Sequence, residues 1–281
     1  MEVTIENKLA KRPFRRRKQN WLEYKKGISK KEAIFLGVVC WVVFFGIWEA
    51  AVVFKWVNTL FLPGPEKIVA ALYRLILFEG FASDILASIY RILLSFGLAC
   101  LVAIPLGILM GSFARVEAML NPLVSAWRYL PAPSFVPLLL MWFGTGDSQK
   151  IALLFIGVIW FLITIIMDHV KSVRVELIET SKTLGGSRVQ ILWTVVIPAS
   201  LPNILVAMRQ MLAVSWTYLV IAEIVAATTG IGAMMMRAKR FLRVEDIMAG
   251  ILMIGILGLL FDYLFRVLYR LMFPYLRNEQ P

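Results

Sequence analysis

The sequence ETSKTLGGSRVQILWTVVIP, residues 179–198, decides the fold because it is a polar, kinked insert between apolar segments long enough to cross a bilayer. An amphipathic run leads into it and stops at Gly185–Gly186, where residues without a Cβ permit a sharp turn. Ser187 and Gln190 then have capping-box spacing, which predicts a second helix that Pro198 and Pro202 interrupt. The stretch predicts two short helices at an angle, exposed on one side of a membrane.

The composition is that of an integral membrane protein. Of the 281 residues, 60% are hydrophobic, and the mean hydropathy of +0.77 lies far above that of a soluble domain. Cys40 and Cys100 both fall inside apolar segments, and the chain has no Cys/His cluster, so they indicate neither a disulfide framework nor a metal site. We therefore expect no metal and no cofactor in this chain.

The net charge of +12 is concentrated before residue 33. Eleven basic residues crowd there: Lys8, Lys11, Arg12, Arg15, Arg16, Arg17, Lys18, Lys25, Lys26, Lys30 and Lys31. Such a tail is typical of a cytoplasmic anchor beside anionic lipid, whereas a nucleic-acid role would require aromatic residues interleaved on a folded surface. The apolar segment behind it is too long for a cleavable signal peptide.

Six apolar segments are predicted to span the membrane. They lie at residues 33–54, 85–112, 120–143, 151–167, 203–227 and 247–268. A turn at Leu62–Pro65 followed by residues 66–78 predicts a short helix at the outer surface, with a further span as the alternative. The chain thus divides into a basic cytoplasmic tail (residues 1–32), a transmembrane domain (33–270) whose polar loop covers about 171–198, and a C-terminal cytoplasmic tail (271–281).

The distribution of Lys and Arg predicts the orientation of the chain. An even number of spans places both termini on one side, and the segments on that side hold nineteen basic residues against eight on the other. The bias predicts that both termini and residues 171–198 are cytoplasmic. The four basic residues between Arg237 and Arg243 run against this rule locally.

The third predicted span carries three prolines within seven residues, at Pro131, Pro133 and Pro137. Prolines free backbone carbonyls, and irregular backbone at membrane depth is tolerated where it is packed in protein or faces a watery cavity. This span is therefore a candidate to line a translocation path, with a kink needed only for packing as the alternative. In the second span, Gly107 and Gly111 have the spacing that lets helices approach closely.

Residues 179–198 resemble the cytoplasmic signature loop of bacterial ABC importer permeases. That signature reads Glu-Ala-Ala, then a glycine, then Ile-x-Leu-Pro, and the positions that fall on its spacing are Glu179, Gly185, Val195, Ile197 and Pro198. Thr180 and Ser181 replace the two alanines, a conservative change in size. An ordinary amphipathic hairpin is the alternative interpretation of this stretch.

Short matches extend the resemblance over most of the chain after the N-terminal tail. They are Leu62-Pro63-Gly64-Pro65, Ser88-Ile89-Tyr90-Arg91, Pro131-Ala132-Pro133 with Pro137, Trp142-Phe143-Gly144-Thr145-Gly146 and Ala222-Glu223. Within the family they are most similar to the nitrate, sulfonate, taurine and bicarbonate importers. The resemblance implies an all-α inner-membrane protein with six transmembrane helices, a coupling-helix loop and the type I ABC importer permease fold.

The resemblance also implies partners, because the chain has no Gly-x-x-x-x-Gly-Lys-[Ser/Thr] phosphate loop of its own. Two cytoplasmic ATPase subunits would bind ATP and magnesium, and an extracytoplasmic solute-binding protein would deliver the solute. A second copy of the chain, or a related permease, would complete the path. The residues expected to couple to the ATPase are Glu179, Thr180, Ser181, Leu184, Gly185, Ile197 and Pro198.

Ionisable groups inside the spans are candidates for the translocation path. They are Arg91, Arg128, Arg209, Glu49, Glu223 and Asp262. The alternative for Arg91, Arg128 and Asp262 is that each side chain only extends to the membrane interface and has no role in transport. The alternative for Glu223 is a structural ion pair with an arginine of a neighbouring helix. The path is predicted to involve Arg128, Pro131, Pro133, Arg209, Trp216 and Glu223, with further aromatic lining from Trp127 and Tyr218.

Three classes of function fit an apolar chain of this kind. An importer permease for a small anion is the predicted one, and a different small organic solute is its nearest variant. An intramembrane enzyme would require a pair of reactive side chains, and no recognisable pair occurs in the sequence. A membrane anchor or scaffold would need no substrate path at all.

Overall fold

The computed structural model describes residues 28–276, and these residues form helices and no strand. Most of the predicted basic tail and residues 277–281 lie outside this range. The α-helices of the described part are α1 (Lys30–Val53), α2 (Pro65–Phe78), α3 (Phe81–Ser112), α4 (Ala114–Arg128), α5 (Val136–Phe143), α6 (Asp147–Lys171), α7 (Val175–Thr183), α8 (Arg188–Ile191), α9 (Ile197–Ala226), α10 (Ile231–Arg240) and α11 (Val244–Met272).

Five helical segments of the described chain are long and apolar enough to cross a membrane. They are Lys30–Val53, Phe81–Ser112, Asp147–Lys171, Arg188–Val225 and Val244–Met272. The first, second, fourth and sixth predicted spans are confirmed as helices, each a few residues longer than predicted. The short helix predicted over residues 66–78 is also confirmed, since α2 begins with Pro65 and buries Ile68, Ala71 and Leu75 along one face.

The third predicted span is not one helix. Residues 120–143 comprise the end of α4, a break, a 3-10 turn at Ala132–Phe135 and the eight-residue helix α5. Pro131 and Pro133 explain the break, because neither has an N–H to donate to the preceding turn, whereas Pro137 lies in the first turn of α5. Its predicted interruption by proline is confirmed, and the helix before the break begins at Ala114, earlier than the predicted start of the span.

The broken segment nevertheless crosses the bundle, as the packing of α3 and α6 shows. Arg91 near the start of α3 contacts Asp147 at the start of α6, and Gly111 near the end of α3 lies against Val170 near the end of α6. The two helices are therefore parallel. The chain between them, residues 113–146, must return across their full length.

The fifth predicted span begins earlier than expected. Helix α8 continues through a π-helical turn, Leu192–Val196, into α9, so Pro198 and Pro202 do not interrupt the helix. The π turn shifts the bonding, since the N–H of Ile197 donates to the carbonyl of Leu192. Pro198 follows directly after this shifted bond, so the helix continues past a residue that has no N–H to donate. The prediction of two separate short helices was wrong for the second of them.

Close helix contact in the core depends on glycine. A Cβ on Gly107 would lie 2.7 Å from Ile166 of α6, and a Cβ on Gly111 would lie 2.6 Å from Val170. The close approach predicted from their spacing is therefore confirmed. Helix α9 contacts both α3 and α6 and runs antiparallel to α3, since Glu223 near its end contacts Arg91 near the start of α3.

These directions define two faces of the bundle. The coupling face comprises the ends of α3 and α6, helices α7 and α8, and the start of α9. The opposite face comprises helix α2, the starts of α3, α6 and α11, the end of α9, and helix α10. Arg74 of α2 pairs with Asp246 of α11 on the opposite face, and Arg237 of α10 pairs with Asp84 of α3.

Candidate coupling surface and translocation path

The turn after α7 is built on a left-handed glycine. Gly185 has φ of +84°, and its N–H donates to the carbonyl of Lys182 at 2.9 Å. The N–H of Gly186 donates to the carbonyl of Ser181 at 3.0 Å, which satisfies the end of the helix. A side chain at Gly185 would meet no neighbouring atom, so glycine is required there by backbone conformation rather than by space.

The predicted cap of the following helix is confirmed. The hydroxyl of Ser187 accepts a hydrogen bond from the N–H of Gln190 at 3.3 Å, and Ser187 has the extended backbone of an N-cap. The cap begins α8 immediately after the glycine turn. Local chemistry therefore fixes the angle between α7 and α8.

The outer side of this turn presents a small apolar knob. Leu184 is 83% exposed, and Glu179 and Thr180 of α7 are exposed beside it. The hydroxyls of Thr180 and Ser181 donate to the carbonyls of Glu176 and Leu177 at 2.7 and 2.8 Å. Because both hydroxyls bond within their own helix, the surface they present resembles that of the alanines in the signature.

Ile197 and Pro198, the last predicted coupling residues, begin α9 rather than sit on the knob. Pro198 is exposed and Ile197 is half-buried. The hydroxyl of Ser200 donates to the carbonyls of Val196 and Ile197 at 2.8 and 3.1 Å. These two residues therefore join the knob to the membrane-crossing helix.

The break between α4 and α5 carries an aromatic stack. The ring of Trp127 stacks on Phe135 at 5.7 Å and on Trp160 of α6 at 5.4 Å. The indole nitrogen of Trp160 is buried and has no hydrogen-bond partner in the described residues. Pro131 is exposed and Pro133 is half-buried at the same break.

Two predicted path arginines lie at partly exposed positions. Arg128 ends α4 and lies over the ring of Tyr129 at 5.6 Å. Arg209 pairs with Asp262 of α11 at 3.4 Å, and about a third of each side chain is exposed. Trp216 is buried against Phe261, and its indole nitrogen has no partner in the described residues.

Glu223 belongs to a buried ion network on the opposite face. It is 1% exposed and accepts from the Nη1 of Arg91 at 2.6 Å and from the Ser88 hydroxyl at 2.8 Å. Arg91 is 2% exposed, and its Nε donates to Asp147 at 2.8 Å. The remaining donors of Arg91 reach the carbonyl and hydroxyl of Thr229, both at 2.8 Å.

The network also holds the loop that follows α9. The N–H of Gly232 donates to Glu223, and the N–H of Gly230 donates to Asp84 at 2.7 Å. Asp84 pairs in turn with Arg237 at 2.5 Å. Charged groups here are thus matched by charge and by hydrogen bonds, which is the condition under which burial of ions is tolerated.

Pairing also accounts for two of the four basic residues that run against the charge rule, Arg237 and Arg243. Arg237 pairs with Asp84, and Arg243 lies 3.5 Å from Glu79 and 3.6 Å from Asp246. Their charge is matched by carboxylates of the same face. Only Lys and Arg enter the orientation rule, so such local pairing is invisible to it.

Comparison with known families then places the chain. Residues 103–278 match the family described as "Binding-protein-dependent transport system inner membrane component". The chain belongs to this family. It is a membrane-spanning subunit of an ABC importer, as the signature loop predicts.

Three curated relatives of this permease cover most of its length. The taurine transport system permease protein of Escherichia coli is 34% identical over 280 residues, which are 98% of each chain. A putative aliphatic sulfonates transport permease protein of Bacillus subtilis is 31% identical and covers 88% of this chain and 89% of its own. The bicarbonate transport system permease protein of Synechococcus elongatus is 28% identical over 85% of this chain and 89% of its own.

Solved structures share the fold of the permease. A chain of the MetNI methionine ABC transporter has a TM-score of 0.60 and 18% identity, covering 68% of this chain and 94% of its own. A chain of a bacterial ABC transporter involved in alginate import has a TM-score of 0.54 and 16% identity over 85% of this chain and 94% of its own. The type I importer permease fold predicted from the signature is confirmed.

Sequence reasoning missed several members of the buried network. Arg91 was interpreted as a snorkelling side chain, but it lies buried with every donor in use. Asp84 and Asp147 were not singled out at all. The available signal was their shared position at the starts of α3 and α6, which becomes a contact only once these helices are known to be parallel.

Proposed function

We propose that this permease forms half of the translocation path of an importer for a small sulfonate or a similar small anion. Relatives named for taurine, aliphatic sulfonates and bicarbonate support an anionic solute. The basic tail and the coupling face are placed in the cytoplasm by this proposal, in agreement with the Lys and Arg bias. A solute-binding protein delivers the anion to the opposite face.

The observation that carries the coupling role is the exposed turn on the left-handed Gly185. An apolar side chain as exposed as Leu184, held by a rigid turn, is suited to enter a groove of another subunit. Two ATPase subunits, each binding ATP and magnesium, dock there on two copies of the chain. Glu179, Thr180 and Ser181 form the flank of the knob, and Ile197 and Pro198 transmit its movement to α9.

The path runs beside the break between α4 and α5. Pro131 and Pro133 free carbonyls there, and the stack on Trp127 supplies an apolar wall that does not hold the solute tightly. Arg128 and Arg209 supply positive charge to an anion. Glu223 acts on the path only indirectly, because its carboxylate binds Arg91 and does not contact the solute.

Reconstitution into proteoliposomes tests the proposal. The permease, its ATPase and its binding protein should together take up taurine or an alkanesulfonate in an ATP-dependent manner, and omission of any one of them should abolish uptake. Uptake of a cation instead, or ATP hydrolysis and uptake that do not require the separate ATPase subunit, would contradict it.

A further inference from the structure

A groove of about 580 Å³ lies on the coupling face between the ends of α3 and α6 and the helices α7 and α8. This volume falls within the range of small-molecule sites, roughly 300–1,000 Å³. Its apolar wall is formed by Val170, Val173, Val175, Ile178, Ile191, Leu192 and Val196. The groove lies directly behind the turn that carries Leu184 and Gly185.

The charged side chains that line the groove are all cationic. Lys171, Lys182 and Arg188 line it, and no carboxylate does. Lys171 pairs with Glu117 at 2.5 Å, but Lys182 and Arg188 form no ion pair within residues 28–276. The positive charges of Lys182 and Arg188 are therefore available to an anion in a groove whose other lining residues are mostly apolar.

A buried hydroxyl adds a third polar group. Ser112 ends α3 and lines the groove, and its Oγ is buried without a hydrogen-bond partner among the described residues. A buried hydroxyl without a partner costs free energy, which an acceptor in the groove would recover. The site thus offers two cations and one hydroxyl donor beside an apolar wall.

We propose that this groove binds an anionic phospholipid. The phosphate lies between Lys182 and Arg188, an ester or glycerol oxygen accepts from Ser112, and the upper acyl chains lie along the valine and isoleucine wall. The ends of α3 and α6 border the membrane, so the bilayer supplies such a molecule at high local concentration. A fully solvated anion would leave the apolar wall unused.

Because the groove lies behind the coupling turn, a bound lipid would affect the position of that turn. A headgroup bound between α7 and the ends of α3 and α6 contacts the turn that carries Leu184 and limits its movement relative to the membrane. Stimulation of ATP hydrolysis by anionic lipid follows, and this step rests on the proposed ATPase docking. Lipid binding itself does not, so the two can fail separately.

Native mass spectrometry of the purified permease tests the binding. Phosphatidylglycerol should bind more tightly than phosphatidylcholine, and Lys182→Ala or Arg188→Ala should each weaken it about fivefold, the effect of one charge near an anionic surface. Lys182→Arg keeps the charge and should keep the binding. Arg115→Ala is the matched control, because Arg115 is exposed on the same face and does not line the groove.

Three results would overturn the proposal. Equal binding of both lipids, or full binding by the Lys182→Ala/Arg188→Ala double variant, removes the role of the two cations. Displacement of phosphatidylglycerol by soluble glycerol 3-phosphate would show that the groove takes a free phosphate and not a lipid. Circular dichroism of each variant checks that the helices are retained.

Discussion

The coupling turn and the ion network of Arg91 and Glu223 lie at opposite ends of the same bundle and solve opposite problems. The turn is exposed, and its hydrogen bonds stay within α7 and α8. The network is buried, and its bonds join α3, α6, α9 and the loop before α10. The turn is arranged to bind another subunit, and the network is arranged to stabilise the fold.

This difference predicts how substitutions divide. A change in the network should lower stability because it strands a buried charge. A change in the turn should leave the fold in place and alter only what docks on it, because the turn supports no other element. The following variants, each paired with a control, run from the largest expected loss of stability to the smallest.

Glu223→Ala should have the largest effect. It leaves Arg91 buried with one of its two carboxylates removed, and breaking a buried pair in this way costs about 3–5 kcal/mol. The unfolding midpoint in SDS, followed by circular dichroism, should fall sharply.

Glu176→Ala is the control on the coupling face. Its carboxylate pairs with Arg174 while 72% exposed, and exposed pairs of this kind contribute about 0–1 kcal/mol. Equal losses for the two variants would contradict the division of the molecule into a holding end and a docking end.

Gly107→Ala should have an intermediate effect. The new Cβ would lie 2.7 Å from Ile166, and overpacking of a core contact costs about 1–3 kcal/mol. Gly97→Ala on the same helix meets no atom within 4 Å and should be neutral or gain up to about 1 kcal/mol from helix propensity. The same SDS titration compares them, and a stable Gly107→Ala would mean that α3 and α6 do not approach as described.

Arg209→Gln should have the smallest effect on stability, about 0–1 kcal/mol for a partly exposed pair, but should slow anion uptake severalfold. Arg128→Gln should do the same. Arg266→Gln is the control, because Arg266 pairs with the same Asp262 at 2.7 Å and lies 58% exposed. Unchanged uptake with both Arg128→Gln and Arg209→Gln would contradict the proposal that these arginines attract the anion in the translocation path.

The predictable part of this fold is local. Gly185 and the Ser187 cap act within a few residues, so their consequences could be predicted from the sequence alone. The membrane-spanning helices could be predicted from the length of the apolar segments, and the break at Pro131 could be predicted because proline has no backbone N–H to donate.

Continuity of a helix was less predictable. Pro198 and Pro202 were expected to stop a helix that in fact continues, because the π turn re-registers its bonds before Pro198. Proline signals a lost donor, but whether the helix ends depends on how the neighbouring turn compensates.

The contacts of the network could not be predicted from the sequence. Arg91 and Glu223 are separated by 132 residues and meet only because α3 and α9 are antiparallel neighbours. An intramembrane arginine has the same local pattern whether it snorkels or pairs. Topology, and not composition, decides between these two states.

The most direct measurement concerns Gly185. Valine cannot adopt φ of +84° without a penalty of about 1–2 kcal/mol, whereas asparagine tolerates that conformation. Purified Gly185→Val and Gly185→Asn should both keep the fold, with Gly185→Val losing no more than about 1–2 kcal/mol of stability. Gly185→Val should lose ATPase assembly and stimulated hydrolysis, and Gly185→Asn should largely retain both. If Gly185→Val assembles, hydrolyses and transports normally, the claim that this turn couples the permease to its ATPase is contradicted.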